Sequence, residues 1–132
     1  QGSGWSQLSG LNADAVLSAN TDADPDTELV GDFGATGFWL WDAGSWTQLA
    51  GVNAEAMIKV DVTGDGTDEL AGDFGTLGIW VYSGGAWSQL SGVNPSAMIA
   101  GDFDGDNREE IVADFGDIGL FLYNEGAWSQ IL

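Results

Sequence analysis

Apolar positions along the chain fall into short runs of four to six residues, cut apart by Gly, Asn and Asp. One set of runs is Val16-Leu17-Ser18-Ala19, Met57-Ile58-Lys59-Val60 and Met98-Ile99-Ala100-Gly101. A second set covers Glu28–Phe33, Glu69–Phe74 and Glu110–Phe115, and a third covers Phe38–Trp41, Ile79–Tyr82 and Leu120–Tyr123. The fourth is a Trp-Ser/Thr-Gln-Leu/Ile run. Short, β-branched and aromatic runs bounded by turn residues predict β-strands. The segments Asn12–Ala15, Asn53–Ala56 and Asn94–Ala97 are each long enough for one helical turn.

These runs repeat. Trp5, Trp46, Trp87 and Trp128 are spaced by 41 residues each time, and Trp46–Ala86 matches Trp87–Ala127 at 20 of 41 positions when counted one by one. A constant period of this length is the signature of propeller blades or solenoids. In the third run Phe38 and Leu40 point to one side and Trp39 and Trp41 to the other, because side chains alternate along a strand. Both sides are apolar, so each small sheet needs cover on both faces. Radially stacked sheets provide it, whereas a two-layer sandwich covers one face per sheet. The expected fold is all-β and β-propeller-like, with three four-stranded blades of 41 residues at about 15–49, 56–90 and 97–131. Small residues in the first run (Ser18, Ala19, Ala100, Gly101) suit the crowded axis of such a fold. Trp5–Leu8 is then a spare outer strand. A right-handed β-helix is the competing architecture, but it needs shorter coils.

Charge changes the picture next. The 132 residues carry 21 acids and two cations, Lys59 and Arg108, for a net charge of −19. Phosphate neutralisation needs clustered Lys and Arg, so nucleic acid is excluded as a partner. No apolar run reaches the length of a membrane span, which argues against membrane insertion. Without Cys or His, thiol nucleophiles, His acid/base work and zinc sites are excluded together.

The acids concentrate between the first and second runs. The loops are Asn20–Glu28, Asp61–Glu69 and Asp102–Glu110, and they hold four, four and five of the 21 acids. Oxygen-bearing side chains stand at positions 1, 3, 5 and 9 of each: Asn20, Asp22, Asp24 and Glu28; Asp61, Thr63, Asp65 and Glu69; Asp102, Asp104, Asp106 and Glu110. Alternate oxygens in a short loop wrap one hard cation, and many protein oxygens favour Ca2+ over the well-hydrated Mg2+. Three bound Ca2+ would change the formal charge from −19 to −13. Gly66 and Asn107 at position 6 suit a positive φ, whereas Pro25 in the first loop cannot adopt one. With Asn20 at position 1 as well, the first loop is expected to bind most weakly. The plain alternative is an Asp/Gly-rich turn kept for solubility.

The acidic loop followed by an apolar strand and Phe-Gly resembles the FG-GAP/VCBS repeats of integrin-like propellers; the clearest copy is Asp102, Asp104, Asp106 and Glu110, then Ile111-Val112 and Phe115-Gly116. The resemblance covers nearly the whole chain. It implies propeller blades with Ca2+ between their first two strands, in secreted or cell-surface modules for adhesion and ligand binding, some of them lectins. The chain departs from the family in its shorter repeat and in having three units.

Other readings compete for the same residues. Asp-Phe-Gly at 32–34, 73–75 and 114–116 spells a kinase metal motif but lacks its companion segments, so a strand end and turn are expected. Carboxylate pairs suggest a glycoside hydrolase, yet every pair recurs and no repeat holds a unique acid. The chain is therefore expected not to be an enzyme. The Trp residues read as inter-blade packing or as sugar-stacking platforms, which keeps a glycan-binding lectin as the alternative function. Three blades fall short of a closed ring. A homodimer closing a six-bladed ring is the expected partner state, with the open faces marked by Phe38 and Leu40 at one end and Phe121 and Tyr123 at the other.

Overall fold

The computed structural model describes residues 4–132. It contains twelve strands in three separate four-stranded antiparallel sheets. The first sheet holds β1 (Ala15–Ala19), β2 (Glu28–Asp32), β3 (Phe38–Asp42) and β4 (Ser45–Ala50). The second holds β5 (Ala56–Val60), β6 (Glu69–Asp73), β7 (Ile79–Ser83) and β8 (Ala86–Ser91). The third holds β9 (Ala97–Gly101), β10 (Glu110–Asp114), β11 (Leu120–Asn124) and β12 (Ala127–Gln130). Each sheet is a simple meander in chain order, giving the propeller-like all-β architecture that the repeat predicts. Among the described residues no helix is long and apolar enough to cross a membrane.

Turn chemistry sets the registers. β3 and β4 pair Trp41 with Trp46 and Asp42 with Ser45 across a two-residue turn. Ala43 and Gly44 in that turn have φ of 52° and 90°, the mirror-image turn that matches strand twist. Gly78 precedes β7 with φ of 87°, and a Cβ there would lie 2.0 Å from the Ser91 carbonyl oxygen. Only glycine fits such an approach.

The single helical turns stand elsewhere than expected. Asn12–Ala15, Asn53–Ala56 and Asn94–Ala97 contain no helix. The N–H groups of Asp14, Glu55 and Ser96 instead donate to the carbonyls of Asp32, Asp73 and Asp114, which prolongs the first ladder. The turns are 3-10 helices at Gly34–Thr36, Gly75–Leu77 and Gly116–Ile118, after the second strand. Each follows an aspartate whose Oδ1 accepts a glycine N–H: Gly34 to Asp32, Gly75 to Asp73 and Gly116 to Asp114, at 2.9–3.0 Å. The Asp-Phe-Gly triplets are thus strand ends with a capped turn.

Two cores lie between successive sheets. Ala19 and Val30 of the first sheet pack with Leu70 of the second, joined by Leu40, Met57 and Tyr82. Val60, Ala71 and Ile79 of the second pack with Met98, Ile111 and Ala113 of the third. Of the first strands, β5 neighbours both β1 and β9, so the first run forms the inner edge of each sheet.

Two sequence expectations change here. Phe38 has no exposed surface and its ring lies 5.7 Å from that of Phe74, while Tyr123 packs against the second core. Leu40 likewise packs against the first core, so Phe38, Leu40 and Tyr123 all belong to inner interfaces and none marks an open face. Alternation fixes which residues share a face but leaves open which neighbour that face meets. The expected spare outer strand at Trp5–Leu8 is not formed: the segment has no strand conformation and no ladder among the described residues, and Trp5 is fully exposed. Leu8 O accepts the Trp46 indole N–H at 3.0 Å, as Leu49 O and Leu90 O accept those of Trp87 and Trp128 at 2.9 Å.

Candidate metal centres

Each acidic loop leaves the innermost strand of its sheet and enters the second strand at a glutamate. Those glutamates, Glu28, Glu69 and Glu110, are 1%, 5% and 0% exposed. One oxygen of each is held by the loop backbone: Thr21 N–H donates to Glu28 Oε1 at 2.6 Å, Val62 N–H to Glu69 Oε1 at 2.9 Å and Phe103 N–H to Glu110 Oε1 at 2.7 Å. The second oxygens of Glu28 and Glu110 are buried and accept no hydrogen bond, and neither does the buried Asn20 Oδ1. An orphaned buried carboxylate oxygen is costly, because desolvation penalises the ion without compensation.

The loops bring further oxygens to these glutamates. Asp102, Asp104, Asp106 and Glu110 each offer an oxygen, all within 4.8 Å of one another. Asp61, Asp65 and Glu69 form the equivalent group in the second loop, and Asp22, Asp24, Glu28 and Asp42 in the first. Thr63 stands inside its loop, donating to Asp61 Oδ1 at 3.3 Å and accepting the Asp65 N–H at 3.4 Å.

Asp42 is the residue that sequence reasoning missed. It ends β3, outside the loop, and its 41-residue equivalents are Ser83 and Asn124. Asn124 makes a related contact, donating from Nδ2 to Asp104 Oδ2 at 3.3 Å. The shared polar position at the end of the third strand was the available signal. Asp42 also restores a fourth carboxylate to the first loop, so the middle loop has the fewest.

Backbone conformation separates the loops. Gly64, Gly66, Gly105 and Asn107 have φ of 75°, 86°, 80° and 73°, whereas no residue of Asn20–Glu28 has positive φ. The turned backbone aims N–H groups at the position-1 aspartate. Gly64 and Gly66 donate to Asp61, and Gly105, Asp106 and Asn107 donate to Asp102. In the first loop the donations run to the side chains of Asp22 and Asp24.

Crowded carboxylates resist ionisation. Burial, opposed by the Val62 N–H and aided by Asp65, Asp61 and Asp68, pushes the Glu69 carboxyl up to about 7. Glu110 is raised by burial and then by Asp104, Asp106 and Asp102. Asp42 is raised by desolvation, followed by Asp22, Glu28 and Asp26. Asp102 moves the other way: against desolvation, the N–H groups of Asn107, Gly105 and Asp106 hold it below the usual range. The one cation inside the three loops is Arg108, which pairs with Glu125 at 2.7 Å. Such a site wants a cation.

The tryptophans offer a second place to look. An apolar cleft of about 200 Å3 is lined by Ala50, Val52, Phe74, Leu77, Trp80 and Trp87, and a repeat-equivalent one of about 170 Å3 includes Phe33, Trp39 and Trp46. The Trp39 and Trp80 indoles donate to Thr36 O and Leu77 O. The indole N–H groups are thus committed to the chain's own carbonyls, while Ser9 brings a hydroxyl to the second cleft.

The chain was compared with known proteins: no family model, curated protein or solved structure matches it.

Proposed function

We propose that the chain is a non-catalytic calcium-binding propeller module, serving assembly or adhesion in a secreted or cell-surface setting. Each acidic loop holds one Ca2+. The first uses Asn20, Asp22, Asp24, Glu28 and Asp42, the second Asp61, Thr63, Asp65 and Glu69, and the third Asp102, Asp104, Asp106 and Glu110. The observation that carries this reading is the buried glutamate with an unpartnered oxygen beside three more carboxylates, found in both the first and third loops. A hard cation satisfies that oxygen and offsets the mutual repulsion. A solubility turn has no use for a buried carboxylate. A buried glutamate with neighbouring loop aspartates recurs in every repeat, which suits structural ions better than a catalytic pair of distinct acid and base.

Calorimetric titration with Ca2+ tests this. The expected result is saturable uptake approaching three ions per chain, with the Asp61–Glu69 loop the last to fill. No heat and no uptake at millimolar Ca2+ would contradict the reading.

A further inference from the structure

The two inter-sheet cores are one interface made twice. In the first, Leu17, Val30 and Leu40 of one sheet meet Met57, Leu70 and Tyr82 of the next. In the second, the residues 41 positions later do the same: Ile58 and Ala71 meet Met98, Ile111 and Tyr123. Backbone pairs lock both seams. Asp68 N–H donates to Asn20 O at 2.6 Å while Asn20 N–H donates to Asp68 Oδ2 at 2.8 Å. Glu109 N–H donates to Asp61 O at 2.7 Å, and Asp61 N–H to Glu109 Oε1 at 2.8 Å.

Each end of the chain presents one half of this interface uncovered. On the third sheet the forward half is Ile99, Val112, Leu120 and Leu122, and Ile99 is 57% exposed. Its equivalents Leu17 and Ile58 are half-buried, and the equivalents of Val112 (Val30, Ala71) and of Leu120 (Phe38, Ile79) have no exposed surface at all, whereas Val112 and Leu120 are only half-buried. On the first sheet the backward half is Val16, Leu29 and Trp41. Val16 is 63% exposed, although its equivalent Met98 is 8% exposed. The seam residues are present as well. Asp102 stands where Asn20 and Asp61 stand, and Thr27 stands where Asp68 and Glu109 stand. The Thr27 hydroxyl can accept the Asp102 N–H as those acids accept theirs, and it brings no charge to a seam in a chain of net charge −19.

We propose that a second copy of this chain covers both faces, third sheet onto first sheet in each direction, so that two copies close a six-sheet ring. The partner is argued from the chain itself, since the uncovered halves are complementary in the way its own covered halves are. Six sheets fall within the usual propeller range, and a two-fold ring leaves no half unpaired. By the 41-residue equivalence, Val16 of one copy meets Ile99 of the other, as Met57 meets Leu17 and Met98 meets Ile58. This names the partner for the assembly role proposed above, and it rests on the sheet faces rather than on calcium.

Light scattering coupled to chromatography tests it on the full chain, in Ca2+ and again in chelator. The expected mass at micromolar concentration is about twice the 13.8 kDa of one chain. Val16 and Ile99 are exposed in the single chain, so Val16→Glu and Ile99→Glu should keep the circular dichroism of the wild type while eluting at half the mass. The double variant Val16→Lys/Ile99→Glu places opposite charges across both contacts and should regain the larger mass. A wild type of single mass in both buffers would overturn the proposal. So would an assembly that neither glutamate variant disturbs, or one of more than two copies. A double-mass species in chelator with no calcium uptake would sink the calcium reading alone.

Discussion

At Glu110 the carboxylate has no exposed surface and one oxygen without a partner. Burial raises its pKa in the metal-free chain. Glu110→Gln removes the charge and keeps the shape, so the metal-free protein should melt no lower, and the stabilisation gained on adding Ca2+ should shrink by about one site's share. At 100-fold excess over Kd that share is about 2.7 kcal/mol. Differential scanning calorimetry with and without Ca2+ reads both changes at once. Glu69 adds a pH dependence. Its folded, metal-free pKa lies near 7, above the ordinary carboxylate value. Below that pH a proton occupies the carboxyl and must leave before the ion binds. Calcium affinity at the middle loop should therefore fall as pH falls through about 7. Titrations at about pH 6 and about pH 8 measure this, and equal affinities would remove Glu69 from the site.

Among the elements, the strands were the legible part. Their apolar alternation and their Gly, Asn and Asp boundaries follow from strand geometry and turn sterics, which are local. The apolar run Glu28–Phe33 extends one residue past β2, because Phe33 is apolar while its φ of −105° and ψ of 27° leave the strand region. The 3-10 turns are not legible because three residues opening on Gly are too short to show a helical period. The turn is set by the aspartate cap before it and the glycine approach after it. Asp42 escaped for a related reason: it reaches the first loop through pairing between strands, which sequence spacing within one loop cannot show. The glycine approach makes its own prediction. Gly78→Ala puts a Cβ 2.0 Å from Ser91 O at a φ of 87°, so urea unfolding should show a loss of roughly 3 kcal/mol or more. Gly44→Ala, with a φ of 90° and nothing within 4 Å, should cost only about 1 kcal/mol.

Over the whole molecule, charge and apolar surface pull in opposite directions. A net charge of −19 disfavours any compact or associated state, and two uncovered sheet faces disfavour staying alone. In the proposed reading, three calcium ions would relieve the first tension and a second copy would relieve the second. The repeat made both legible early: its acids recur at one place in each unit, and its small sheets are apolar on both sides. Which faces remain open depended on the direction in which successive sheets stack, and that appears only once the cores are seen. The measurement closest to the central claim is the thermal unfolding of the wild type in chelator, followed by the same sample after excess Ca2+ is restored. A ligand that binds only the folded state stabilises it by mass action. Melting should fall clearly in chelator and recover with Ca2+, while Mg2+ at equal concentration restores less. An unchanged melting temperature across all three conditions would contradict calcium binding at every loop.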